Sequence, residues 1–186
     1  MKKLLILPFI ILLLSGCYSS KRLLESYELR SLETDSNLVV VRHDFYDRVD
    51  AVFKYPYSSL YYGNSETNPY RPLNELAKRC FKSDLKIRET IVFKVISYKI
   101  ASSQDEIDKC ITQRANEPMD DYAISILSSS DIYEKYKNNP HFRTRTNNFK
   151  ADGVITIKEY MDMYKALNEI REAEIEADNK KRITEL

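Results

Sequence analysis

Alternating and continuous apolar stretches along the middle of the chain predict a sheet of about four β-strands. Residues 38–41 form a β-branched run, and residues 51–57 alternate between apolar and polar side chains. Pro56 places the far end of the second segment at a sheet edge, because proline has no backbone N–H for a neighbouring strand. Residues 87–100 contain a long apolar block that indicates a central strand, and residues 122–127 predict a short strand.

Other segments carry the period of amphipathic helices. In residues 69–81 the apolar side chains recur on one helical face, which includes Cys80. Ser103 and Glu106 have the spacing of a capping box, so a helix is expected to begin there. Cys110 lies on the inner stripe of that helix, so both cysteines are expected on buried helix faces.

Two further helices are expected towards the carboxyl end. Residues 130–138 predict a short helix, and Thr156 with Glu159 forms a second capping box that opens a longer amphipathic one. The order of elements predicts an α+β fold. It is a single domain with an approximately four-stranded sheet, helices packed on that sheet, and a C-terminal amphipathic helix.

The amino terminus has the composition of an export signal. Lys2 and Lys3 precede an eleven-residue apolar run, residues 4–14, which is shorter than the ~20 residues that span a bilayer. The following Leu14-Ser15-Gly16-Cys17 resembles the lipobox of bacterial lipoproteins. The resemblance implies cleavage after Gly16, removal of residues 1–16, and attachment of acyl chains such as palmitate to Cys17.

This resemblance also implies a domain organisation and a location. Residues 17–37 are expected to be a lipid-anchored tether, residues 38–178 the α+β globular domain, and residues 179–186 a polar tail. Two or more acyl chains would anchor the protein stably, since each buried methylene contributes about 0.8 kcal/mol. Tyr18 occupies the position where aspartate favours inner-membrane retention. The expected location is therefore the cell envelope, at the periplasmic or surface face of the outer membrane in a Gram-negative host.

Charge and glycine content argue against several function classes. The chain has 29 basic and 28 acidic residues, so the concentrated basic face of a nucleic-acid-binding protein is not expected. Its three glycines are Gly16, Gly63 and Gly153, and a phosphate-binding loop needs several glycines close together. No cofactor is expected.

The two cysteines that lipidation would leave, Cys80 and Cys110, have two interpretations. In an exported domain an oxidising environment favours a disulfide between them. The alternative is two separate buried thiols, because cysteine packs well as a small apolar side chain.

Residues 148–159 resemble an EF-hand calcium loop at several positions. Asn148 and Asp152 would supply oxygen ligands, and Glu159 would be the bidentate ligand at the twelfth position. Lys150, however, stands where another oxygen ligand belongs. A glycine turn leading into a capped helix explains the same residues, so no metal is expected and calcium is the alternative interpretation.

A tyrosine-rich segment, residues 54–72, is the candidate binding surface. Tyrosine offers a large contact area at low entropic cost, and its small polar neighbours offer adaptable hydrogen bonds. The alternative is that the rings cover the domain's own sheet edge. The candidate partner-binding residues are Tyr55, Tyr57, Tyr61, Tyr62 and Tyr70.

The predicted function is a membrane-anchored binding module for another envelope component, a protein or a cell-wall polymer. The sequence lacks the G-x-S-x-G, H-E-x-x-H and C-x-x-C patterns of common hydrolase and metal sites. Two alternatives stay open, an envelope hydrolase with a carboxylate pair and a calcium-dependent module.

Overall fold

A three-stranded antiparallel sheet and eight helices make up the part of the chain described by the computed structural model, residues 19–24, 38–60, 71–149 and 153–185. The strands are β1 (Ser19–Leu23), β2 (Ile87–Val92) and β3 (Val95–Ile100). The helices are α1 (Val39–Phe53), α2 (Tyr57–Leu60), α3 (Arg71–Ser83), α4 (Gln104–Arg114), α5 (Asp121–Ser128), α6 (Asp131–Tyr136), α7 (Pro140–Thr146) and α8 (Ile157–Thr184). The mixed α+β class and the C-terminal helix are confirmed.

The sheet is built differently from the expected one. Its order is β1-β2-β3, with Ser19 opposite Val92 and Ile87 opposite Ile100. Residues 87–100 were expected to form one long strand and instead form a hairpin. The described residues therefore contain three strands rather than about four.

Helix α1 contains residues 39–41 and 51–53 of the two segments that the sequence predicts as strands, residues 38–41 and 51–57. Val41, Phe45 and Val49 lie four residues apart and are fully buried, which is the spacing of one helical face. The β-branched run conceals this stripe, because its local propensity favours a strand while burial of one face stabilises a helix.

Residues 122–127, also expected as a strand, belong to helix α5. Ala123 and Leu127 are buried one helical turn apart. Asp120 caps the helix by accepting a hydrogen bond from the Ala123 N–H at 2.7 Å.

The helix boundaries read from capping boxes are confirmed. Ser103 accepts from the Glu106 N–H, and the Glu106 carboxylate accepts from the Ser103 N–H, at the start of α4. Thr156 and Glu159 form the same pair at the start of α8. Helix α8 runs through Thr184, so it includes most of the range expected as a polar tail, and β1 lies within the range expected as a tether.

The core lies among α1, α3, α4 and the first half of α8. Leu76, Ile111 and Leu167 contribute fully buried side chains from three of these helices. Tyr160 on α8 donates a hydrogen bond to the Ala123 carbonyl at 3.0 Å, which joins α5 to the same core.

Cys80 on α3 and Cys110 on α4 form a disulfide, with Cα atoms 5.8 Å apart. Both residues are buried in the core. The disulfide interpretation is therefore confirmed. Beside it, Arg114 donates to Asp84 at 2.7 Å and to Glu117 at 2.5 Å, so ion pairs reinforce the same junction.

Candidate functional site

Tyr57, one of the candidate partner-binding residues, lies in the core. Its side chain is 1 % exposed, and its hydroxyl donates a hydrogen bond to a carboxylate oxygen of Asp162 on α8. Lys158 Nζ is 3.1 Å from the Tyr57 hydroxyl and 2.6 Å from the other Asp162 oxygen. Lys158 and Asp162 are one helical turn apart, so α8 presents both to the same tyrosine.

The chemistry of this cluster is that of a structural contact. Burial raises the pKa of Tyr57, and the hydrogen bond to Asp162 with its negative charge raises that pKa further. The phenol therefore stays protonated at neutral pH and acts as a hydrogen-bond donor rather than a nucleophile or base. Because its ring is enclosed, Tyr57 does not belong to an exposed partner-binding surface.

Tyr55 is half-buried and lies against the same helix. Its ring centroid is 4.8 Å from that of Tyr57, and Lys165 Nζ lies 3.9 Å from the Tyr55 centroid in a cation–π contact. Burial also raises the pKa of Tyr55. This residue keeps part of its surface accessible, so it remains a candidate contact residue at the edge of the tyrosine-rich segment.

The turn that leads into this segment is fixed by Asp50. Its carboxylate accepts hydrogen bonds from the Ser58 N–H, at 3.1 Å, and from the Ser58 hydroxyl. Burial raises the pKa of Asp50, and the hydrogen bonds from Ser58 oppose that shift. Lys54, at φ 51°, ends α1 in the left-handed conformation. Asp50 therefore stabilises the local turn.

The remaining candidates in this segment, Tyr61, Tyr62 and Tyr70, lie outside the described residues. In sequence Tyr61 directly follows α2, and Tyr70 directly precedes α3. Tyr57 attaches α2 to α8, and Leu73 is fully buried on α3. The three tyrosines are therefore close in sequence to well-packed positions. Cys17 also lies outside the described residues.

The carboxylate of Glu159, the expected calcium ligand, is engaged in the helix cap. One of its oxygens accepts from the Thr156 N–H at 2.8 Å and from the Thr156 hydroxyl at 3.0 Å. Asn148 lies in the turn after α7, and Asp152 lies outside the described residues. Within the described ranges no group of three or more His, Cys, Asp or Glu residues could hold a metal ion. The capped-helix interpretation accounts for Glu159.

A groove of about 390 Å³ lies between α1, the end of β3 and the start of α4. Its size is within the range of small-ligand sites. Its lining residues are Asp44, Asp47, Arg48, Ala51, Ile100, Ser102, Gln104 and Ile107.

The groove has a polar wall supplied by α1. Arg48 forms a two-point ion pair with Asp108, and its Nε lies 2.5 Å from one carboxylate oxygen. Asp44 and Asp47 are exposed beside that pair. As a strand, this segment would not have placed Asp44 and Asp47 on one face, whereas a helix aligns residues three apart. If the sequence had been predicted as a helix here, Asp44 and Asp47 would have been recognised as part of one polar face.

Comparisons with protein-family models, curated proteins and solved structures find no match to this chain. Among the helices of the described residues, none combines the length and the hydropathy needed to cross a membrane.

Proposed function

We propose that the protein is a cell-envelope lipoprotein, held on a membrane by acyl chains on Cys17, whose domain binds another envelope component. The observation that carries the proposal is Leu14-Ser15-Gly16-Cys17 directly after a basic and apolar leader. A short apolar run ending in small residues is typical of export, and a cysteine at the cleavage site supplies the thiol for acylation.

The disulfide supports export. Cys80 and Cys110 are joined inside the core. Disulfides persist in oxidising compartments and are rare in the reducing cytosol. A leader that carries the chain out of the cytosol and a core disulfide are therefore mutually consistent.

The position of β1 supports anchoring close to the folded domain. Ser19 begins the strand only two residues after Cys17. The strand is attached by its pairing with β2 and by Arg22, whose Nε lies 2.6 Å from the carboxylate of Glu89. Acyl chains on Cys17 would hold the sheet close to the lipid surface.

The binding role is supported by the tyrosine-rich segment. Two of its tyrosines, Tyr61 and Tyr62, follow α2 in sequence, and α2 is attached to α8 through Tyr57. Recognition side chains close to packed elements lose less conformational freedom on binding than those on a long free loop. The proposed contact residues are Tyr55, Tyr61, Tyr62 and Tyr70.

An envelope hydrolase is the second candidate, favoured by the groove beside α1. Asp44 and Asp47 line one wall, and carboxylates are among the groups that act as general acid and general base in hydrolysis. Asp44→Asn and Asp47→Asn should each abolish hydrolysis of peptidoglycan fragments or ester substrates by the purified chain. A wild-type protein that leaves these substrates intact removes this candidate.

Metabolic labelling with a palmitate analogue tests the anchor. The full chain should incorporate the label and sediment with membranes, whereas Cys17→Ser should do neither. The double variant Cys80→Ser, Cys110→Ser is the matched control, since it removes two cysteines and should keep the label. Equal labelling of wild type and Cys17→Ser would reject the lipoprotein proposal.

Binding to isolated cell-wall sacculi and to membrane proteins, captured with a crosslinker, tests the tyrosine surface. The double variant Tyr61→Ala, Tyr62→Ala should lose the bound fraction at an unchanged circular dichroism spectrum. Tyr122→Ala, at a residue 65 % exposed on α5, is the control and should bind normally. Undiminished binding by the double variant would exclude these tyrosines from the contact.

A further inference from the structure

The tip of the β2–β3 hairpin exposes apolar side chains to solvent. Phe93 is 65 % exposed and Val95 is 68 % exposed. Val92 and Ile96, which flank them, are also exposed. At the base of the same hairpin Ile87 is fully buried. The hairpin therefore leaves the core as it approaches its tip, and its apolar surface there has no covering element among the described residues.

The turn has an unfavourable backbone for its residues. Phe93 and Lys94 have φ angles of 49° and 66°, and Val92 pairs with Val95 on either side. Two-residue hairpin turns with both φ angles positive favour Asn-Gly, because glycine lacks the Cβ atom that strains this conformation and asparagine tolerates it through local hydrogen bonds. A phenylalanine and a lysine are presented at the tip despite this strain, and strained residues concentrate at functional sites.

The sheet carries a local positive charge in a chain that is nearly neutral. Its strands and hairpin turn contain five basic residues and one acidic residue, Glu89. Glu89 is buried and bonded to Arg22. The strand register places Lys21, Arg88 and Lys99 on the face opposite the buried Ile87. That face and Lys94 at the tip are complementary to an anionic surface.

The register also places this tip beside the proposed anchor. Ser19 lies opposite Val92, the last residue of β2 before the turn. Paired Cα atoms are about 5 Å apart, and two residues of chain span at most about 7 Å. Chain connectivity alone therefore keeps the Cα of Cys17 within about 12 Å of the Cα of Val92.

We propose that the hairpin tip, residues 92–96, docks into the headgroup region of an anionic phospholipid membrane beside the Cys17 acyl chains. This inference rests on the lipid anchor of the proposed function. Phe93 and its aliphatic neighbours contact the acyl boundary, and Lys94 contacts lipid phosphates. Because the anchor holds the tip at high effective concentration near lipid, a small apolar patch suffices to orient the domain.

A single-tryptophan reporter tests the docking, because the chain contains no tryptophan. Phe93→Trp is purified as the acylated full chain and reconstituted in phosphatidylglycerol and phosphatidylethanolamine vesicles, with and without brominated lipid. We expect a blue-shifted emission that brominated lipid quenches at least twofold. Circular dichroism verifies that the variant is folded.

Ile183→Trp is the matched control. Ile183 is 70 % exposed near the end of α8, in the half of that helix that extends beyond the core. Its emission should resemble that of a tryptophan in water and stay unquenched. Equal quenching at both positions, or none at residue 93, overturns the proposal. Protection of the Phe93→Trp reporter by added envelope proteins, with no effect of lipid, overturns it in favour of a protein partner.

Fatty-acid labelling of the same preparations separates failure of the anchor from failure of the docking. Label on Cys17 with an unquenched Phe93→Trp reporter rejects the docking and leaves the anchor intact. Absence of label on the chain that retains Cys17, together with quenching of its Phe93→Trp reporter, rejects the anchor and supports docking by the hairpin itself. Absence of both rejects both. Lys94→Glu should reduce quenching in phosphatidylglycerol vesicles, and equal quenching by this variant would contradict the phosphate contact.

Discussion

Tyr57 on α2 and Asp162 on α8 are hydrogen-bonded although 105 residues separate them in sequence. Lys158 contacts both residues and completes a polar cluster, in which Tyr57 is buried and the two charged side chains are half-buried. This contact fixes Tyr57, near the start of the tyrosine-rich segment, in the core. Tyr57 is therefore part of the scaffold, and the recognition role that we propose for this segment rests on its other tyrosines.

Removing the hydroxyl of Tyr57 should destabilise the fold moderately. Tyr57→Phe leaves Asp162 paired with Lys158 but one hydrogen bond short, so we expect the free energy of unfolding to fall by about 1–2 kcal/mol. Tyr57→Ala should lower it by about 3–5 kcal/mol, because it also leaves a cavity. Urea unfolding measures both. Tyr122→Phe, on the surface of α5, should change stability by no more than about 0.5 kcal/mol. Equal effects at the two positions would contradict a stabilising contact of the Tyr57 hydroxyl.

The disulfide should contribute substantially to stability. It closes a loop with a sequence separation of 30, for which chain entropy gives about 3–4 kcal/mol. The double variant Cys80→Ala, Cys110→Ala should lower the midpoint of thermal unfolding accordingly, and reductant should have no further effect on it. Cys17→Ser, purified in the same way, should unfold like the wild type. A double variant as stable as the wild type would show that the bridge contributes nothing to folding.

The residues of the hairpin turn should lower the stability of the fold and favour contact with lipid. The double variant Phe93→Asn, Lys94→Gly suits the positive φ angles and should raise the free energy of unfolding by about 1–2 kcal/mol. It should also lose docking, measured as a lower fraction of acylated protein protected from surface proteolysis on vesicles. Lys54→Gly relieves the same backbone strain at the end of α1 and should stabilise the protein without changing protection. If Lys54→Gly also changed the protected fraction relative to the wild type, the loss of protection could not be attributed to the hairpin.

Acid should weaken the attachment of β1. The Arg22 guanidinium holds the pKa of the buried Glu89 carboxyl below its usual value, with a further contribution from the Tyr98 hydroxyl. A lowered folded-state pKa gives stability that is complete above the ordinary glutamate pKa of about 4.3 and is lost as pH falls through the folded-state value. Hydrogen exchange of β1 amides should therefore accelerate as pH falls below that range, after correction for intrinsic rates. In the Glu89→Gln variant the β1 amides should exchange faster at neutral pH, and their exchange should no longer depend on pH in this way.

The Asp50 carboxyl should change the free energy of unfolding in the opposite direction to Glu89 as the pH falls. Burial raises its pKa, so its contribution is favourable below the ordinary aspartate pKa and is lost as pH rises through the folded-state value. Asp50→Asn should flatten that slope in unfolding free energy near the acid range while leaving β1 exchange unchanged. A change in β1 exchange would mean that the two carboxyls are coupled.

Local signals in the sequence determined several elements correctly. The capping boxes at Ser103 and Thr156 locate the starts of α4 and α8, because both hydrogen-bonding partners lie within four residues of each other. The apolar period of residues 69–81 likewise identifies α3. Acylation of Cys17 stays a prediction from the sequence, because it rests on a linear motif that lies outside the described residues.

The tertiary structure decided what depends on distant partners. The valines at the start of α1 favour a strand locally, but packing one face into the core stabilises a helix. The turn at Phe93 and Lys94 lacks the usual Asn-Gly signal, so only pairing of β2 with β3 reveals it. The disulfide depends on α3 lying against α4, and the burial of Tyr57 depends on Asp162, 105 residues away. Sequence pattern records local hydrogen bonding and amphipathicity, whereas burial and pairing arise only when separate segments meet.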